Sequence, residues 1–150
     1  MEAKILMNNF TNSEVEPEFL HHAQKAAGLA LNTDAENYEI GLNIVDEEQI
    51  QALNEEYRHI DAPTDVLSFV LNDKEMAQED GFIYLGDVVI CLSIAKKQAA
   101  EYKHSLLREL VYLFVHSILH MRGYDHMNEE EKENMRAEEE KIMQELSILR

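Results

Sequence analysis

Apolar residues recur along this chain at two spacings, and the switches between them mark out the elements. Residues 3–8, AKILMN, read as a first strand. In EPEFLHHAQKAAGLALN (16–32), Phe19, Leu20, Ala23, Ala26, Ala27 and Ala30 fall at helical spacing; Pro17 suits the first turn and Gly28 is tolerated near the end. NYEIGLNIV (37–45) alternates Tyr38, Ile40, Leu42 and Ile44, as a half-buried strand does. DEEQIQALNEEYR (46–58) opens with Asp46 as N-cap and sets Ile50, Leu53 and Tyr57 on one helical face. HIDAPTD (59–65) reads as a loop, VLSFVL (66–71) as a strand, and NDKEMAQEDG (72–81) as a polar turn. YLGDVVICL (84–92) is a further strand, in which Gly86 marks a bulge or a close backbone approach.

Three helices complete the pattern. SIAKKQAAEY (93–102) starts at Ser93 as a cap. SLLRELVYLFVHSILHM (105–121) is apolar almost all round, which predicts a central, buried helix. NEEEKENMRAEEEKIMQELSIL (128–149) begins with Asn128 and Glu131 at capping-box spacing and carries an apolar stripe of Met135, Ile142, Leu146 and Leu149. The order predicts an α+β fold: a small mixed sheet of about four strands covered by about five helices. With no repeat, linker or composition break, residues 1–150 are expected to form a single domain.

Composition narrows the setting. No run approaches the roughly 20 apolar residues of a membrane span, and the first residues carry no secretory pattern. A lone cysteine, Cys91, sits in an apolar run; it cannot form an internal disulfide and reads as a core residue, so the cytoplasm is the expected location. The formal net charge is −17, which predicts repulsion of nucleic acid at long range. Between Val88 and Tyr124 the sign reverses to net +3, through Lys96, Lys97, Lys103, Arg108 and Arg122. This one locally basic segment runs into a cluster of histidines.

That cluster is HSILHMRGYDH (116–126). Four residues advance a helix by about 400° and about 6 Å, so His116 and His120 share a face and can bind one metal ion. A continued helix would carry His126 about 15 Å beyond His116, out of reach of the same ion. The chain must therefore turn back, and Gly123 permits the left-handed conformation that ends helices. Three imidazoles leave a fourth position open, as in a catalytic zinc site. The metzincin peptidases use H-E-x-x-H-x-x-G-x-x-H, but Ser117 stands where their glutamate general base would be. Without that base the metal must supply the nucleophile, by lowering the pKa of water to about 7.

The same stretch resembles the H-G-x-L-H-L-x-G-Y-D-H signature of the YbeY-type endoribonucleases. LNEEYRHIDAPTDVLSF (53–69) resembles that family's L-N-x-x-x-R…P-T-D-V-L-S-F segment, and LGDVVICLSIAKKQA (85–99) its L-G-D-I-x-I…A-x-x-Q-A segment. Ser117, Met121 and Val70 depart from the usual glycine, leucine and proline. The resemblance implies a zinc-dependent, single-strand-specific endoribonuclease that matures the 3′ end of small-subunit 16S ribosomal RNA and takes part in ribosome quality control. It implies one Zn(2+) per chain held by His116, His120 and His126, with Arg58 as a catalytic residue. With RNA as the substrate the resemblance implies, Lys96, Lys97, Lys103, Arg108 and Arg122 are the candidate RNA-binding residues, expected to form a groove beside the metal, and the resemblance also points to delivery by a partner such as a ribosomal protein or an assembly GTPase. A non-catalytic assembly factor with a structural metal, and a different metallohydrolase such as a peptidase, stand as alternatives.

From position alone Arg58 reads as a surface ion-pair partner, though a guanidinium also suits the charge that develops on phosphoryl oxygens during phosphodiester cleavage. Asp125 is placed either to orient an imidazole or to cap the next helix. Asp65 and Asp87, at strand edges, are candidates for supporting the metal ligands, for the general base, or for structural turns, and Thr64 and Ser68 have the same standing. His59 reads as an exposed residue.

Overall fold

A computed structural model describes residues 3–31, 37–71, 81–125 and 127–147. Within them run β1 (Ala3–Asn9), α1 (Pro17–Ala30), β2 (Tyr38–Val45), α2 (Glu47–Arg58), β3 (Val66–Val70), β4 (Ile83–Cys91), α3 (Leu92–Glu101), α4 (Leu106–Met121) and α5 (Glu129–Leu146). The four strands form one sheet in the order β1-β2-β4-β3. The pairs β1–β2 and β2–β4 are parallel; β3 closes the far edge antiparallel to β4. This is the expected α+β arrangement, a four-stranded mixed sheet with five helices.

The two faces of the sheet differ. Ile40, Leu42, Ile44, Val88 and Ile90 meet the apolar sides of α1, α4 and α5 in the main core. On the other face Val45, Leu67, Val89 and Cys91 enclose Ile50 of α2 in a smaller one, with Phe69 packed at its margin. β2 therefore differs from the half-buried strand its alternation suggests. It lies between two parallel neighbours, and every residue but Asn43 is buried.

Caps set the helix starts. Asp46 and Gln49 form a complete capping box on α2. Ser105 Oγ accepts the Arg108 N–H at 3.1 Å. Asn128 Oδ1 accepts the Glu131 N–H at 2.9 Å, while the Glu131 carboxylate takes the Met127 N–H, one residue before the position a full box would use. Ser93 does not cap α3, which begins a residue earlier at Leu92 with Cys91 as N-cap. Its hydroxyl donates to Glu47 Oε1 at 2.9 Å and ties α3 to the first turn of α2.

Gly86 has both features expected of it. The β2–β4 register skips Leu85 just before it, and a Cβ at Gly86 would run into the Phe69 carbonyl across the β3–β4 pair. The polar turn expected over 72–81 lies outside the described residues except for Gly81.

Candidate active site

The central helix α4 carries the site. Leu110, Val111, Leu113, Phe114, Val115, Ile118 and Leu119 bury most of its circumference, as its composition predicts. One line of polar residues interrupts them: Glu109, Tyr112, His116 and His120, in steps of three, four and four, a single helical face. The His116 and His120 rings stand edge to face, with centroids 4.7 Å apart and planes at 83°.

The helix ends where the glycine predicts. Gly123 takes φ +99°, its N–H donates to His120 O at 3.0 Å, and the Tyr124 N–H donates to Leu119 O at 3.0 Å. This is a Schellman turn, which closes the open carbonyls and reverses the chain. His126 lies outside the described residues, so the structure brings together two of the three expected ligands. Among the described residues no three His, Cys, Asp or Glu side chains gather closely enough to hold a metal ion. Two half-buried imidazoles one turn apart do fit two ligand positions of one small, nitrogen-preferring cation.

Partners from other elements line the polar seam. His104, in the α3–α4 link, contacts Glu109 Oε2 through Nε2 at 2.6 Å. Burial pushes the Glu109 carboxyl above the ordinary range, against the opposing pull of His104. Farther along, Tyr112 donates to Glu139 Oε1 at 3.2 Å, and His116 Nδ1 lies 2.6 Å from Glu139 Oε2. Burial, then the Glu139 charge, raises the Tyr112 hydroxyl well above its usual range. A cavity of about 880 Å³ opens beside this seam, lined by His104, Arg108, Glu109, Tyr112, Arg136 and Glu139; His116 and His120 do not line it.

Arg58 approaches from the other side of β3. It sits in the last turn of α2, and His59 ends that helix in the left-handed conformation at φ +60°. The Arg58 guanidinium donates through Nη2 to Ser68 O at 3.4 Å. The Ser68 hydroxyl contacts that of Ser117, the residue after His116. A chain of contacts thus joins Arg58 to the histidine helix across the β3 edge strand.

The remaining candidates divide. Asp65 accepts from Val66 N at 2.7 Å and from Gln98 Nε2 at 3.3 Å, with Thr64 beside it, so it braces the entry to β3. Asp87 lies on the sheet face opposite α4, bonded to Tyr84 and facing Gly41, where a Cβ would collide with it. It therefore cannot support the histidines. Asp125 is exposed in the α4–α5 turn, and the cap of α5 is Asn128 rather than Asp125. Arg122 donates to Ala30 O at 2.6 Å and so ties the end of α1 to the end of α4. Lys96 and Lys97 lie on α3, Lys103 follows it, and Arg108 stands two turns before His116, about 12 Å along the axis.

Glu139 is the residue that sequence reasoning missed. Its signal was its place on the buried side of α5 among Met135, Ile142 and Leu146, where a carboxylate is out of character.

The fold and site thus define an α+β domain built round a histidine-bearing central helix, with an arginine brought up at the sheet edge. The chain belongs to the YbeY endoribonuclease family: the model of that family, "Endoribonuclease YbeY", matches residues 6–147. An "Endoribonuclease YbeY" of Desulforamulus reducens is 44% identical over 151 residues, covering 97% of this chain and 99% of its own. One from Desulfitobacterium hafniense is 45% identical over 129 residues, covering 83% and 82%. A solution structure from Thermotoga maritima shares the fold at TM-score 0.60 and 23% identity, covering 95% of this chain and 90% of its own.

Proposed function

We propose that this protein is a zinc-dependent endoribonuclease that cleaves single-stranded ribosomal RNA, acting on the 3′ end of the small-subunit 16S RNA and in ribosome quality control. The observation that carries the metal site is the His116–His120 pair, 4.7 Å apart, followed by a Schellman turn that reverses the chain just before His126. The endoribonuclease names of the relatives support the choice of RNA.

His116, His120 and His126 would hold the zinc, which would supply a Lewis acid able to lower the pKa of water to about 7. The chain's own residues do the rest. Arg58 offers a planar fork for two phosphoryl oxygens and stabilises the charge that grows on them in the transition state. The Ser68 carbonyl steadies that guanidinium, and the Ser68–Ser117 contact fixes its position against the histidine helix. The protein acts in the cytoplasm, with the RNA presented by a ribosomal protein or an assembly GTPase, since a net charge of −17 gives little attraction of its own.

The test is cleavage of an end-labelled small-subunit precursor RNA by the wild type and by His120→Ala, each with chelator and with added zinc. Cleavage that requires both zinc and His120 is expected. Folded, zinc-loaded protein that never cleaves, even with ribosomal particles present, would instead indicate an assembly factor with a structural metal.

A further inference from the structure

α5 is a charged, solvent-facing helix, yet Glu139 is only 5% exposed. Burying a carboxylate is costly unless its oxygens are matched. Both oxygens of Glu139 are matched, and by one face of one helix: Oε1 accepts from Tyr112, and Oε2 lies 2.6 Å from His116 Nδ1, one turn further on. The carboxylate thus clasps two successive members of the polar seam from a helix 23 residues away in sequence. An apolar side chain at this position would dock α5 as well, so packing alone does not account for a glutamate here.

Tautomer does account for it. A neutral imidazole carries its proton on one nitrogen and its basic lone pair on the other. A carboxylate beside Nδ1 draws the proton to Nδ1 and leaves the lone pair on Nε2. We infer that Glu139 is the positioning residue of the metal site. It holds His116 as the Nδ1–H tautomer at a fixed ring angle, with Tyr112 pinning the carboxylate, so that His116 coordinates through Nε2 beside His120. This inference rests on the zinc site proposed above. It makes the last helix part of the site without contributing a ligand.

Two measurements test it. In the metal-free protein, long-range ¹⁵N NMR should show His116 as the Nδ1–H tautomer. Glu139→Gln should mix or reverse the tautomers. Zinc affinity, read by competition with a chromophoric chelator, should fall about 10–100-fold in Glu139→Gln and Glu139→Ala. Tyr112→Phe should cost several-fold, and Glu133→Gln, on the exposed side of α5, nothing.

A merely structural Glu139 would lower the melting temperature and leave the zinc affinity of the folded protein unchanged. That result, or an Nε2–H tautomer in the wild type, overturns the inference while leaving a zinc enzyme intact. A wild type that holds the Nδ1–H tautomer but binds no zinc overturns both the inference and the metal-dependent function.

Discussion

Glu109 is 2% exposed, and His104 contacts its carboxylate at 2.6 Å. Burial raises its carboxyl in the fold, so its contribution to stability is kept at low pH and lost as pH rises through the folded value. Removing His104 removes the hydrogen bond that opposes the effect of burial. His104→Ala should therefore lose about 1–3 kcal/mol at alkaline pH, where the carboxyl left behind must be charged, and less at acid pH, where protonation relieves it. Thermal unfolding at the two pH values checks this; equal losses would mean that the pair is not coupled to folding. Arg58 gives the complementary case. Its side chain is exposed, so Arg58→Ala should leave the melting temperature nearly unmoved and lower kcat for RNA cleavage by about 10²–10³. Arg58→Lys should recover only part, because an ammonium offers no fork. The His116–His120 pair was legible in the sequence because its spacing is that of one helical turn. Glu139 was not, because its partners Tyr112 and His116 belong to another helix and only tertiary docking brings them together.

Among the elements, the end of α4 is the most exacting. Gly123 sits at φ +99° with open space around its Cα, so a side chain there meets no neighbour and pays only in backbone strain. Gly123→Ala should cost about 1–2 kcal/mol in urea unfolding and also weaken zinc binding, since it relaxes the turn that leads to His126. Gly86 is the contrasting glycine. There a Cβ meets the Phe69 backbone, so Gly86→Ala should part β3 from β4 and displace Ser68. Hydrogen exchange across β3 would report it as lost protection at Leu67 and Phe69. Helix starts were legible because Asp46 and Asn128 act through local hydrogen bonds. Ser93 misled for the same reason: its hydroxyl has a long-range partner, Glu47, which no local pattern reveals. The double-sided burial of β2 was equally hidden, since it follows from sheet order.

For the molecule as a whole, charge and site pull apart. The basic residues expected to make a groove lie on or just after α3 (Lys96, Lys97, Lys103), in the first turn of α4 (Arg108) and at its end, where Arg122 is tied to α1. RNA binding should then rest on few phosphate contacts. Each contact to a single strand contributes about −0.7 to the slope of log affinity against log salt, so a slope shallower than about −2 is expected by fluorescence anisotropy. A steep slope, together with loss of affinity on charge reversal at Lys96, Lys97 and Lys103, would restore the groove. No helix among the described residues is long and apolar enough to cross a membrane. The fold class was legible because strand and helix periods alternate cleanly; strand order was not, because it depends on which crossover buries which face.

The helix that presents His116 and His120 is also the one against which α1, α3, α5, β3 and β4 all pack. Sixteen residues therefore answer to two selections at once, one for the site and one for the core. Change along α4 is doubly constrained, and variation in what the enzyme accepts has its easiest route elsewhere. The α2 terminus around Arg58 and the outer edge of β3 border the site without holding up the main core. A library meant to redirect specificity belongs there, and one meant to raise thermal tolerance belongs on the outward side of α5.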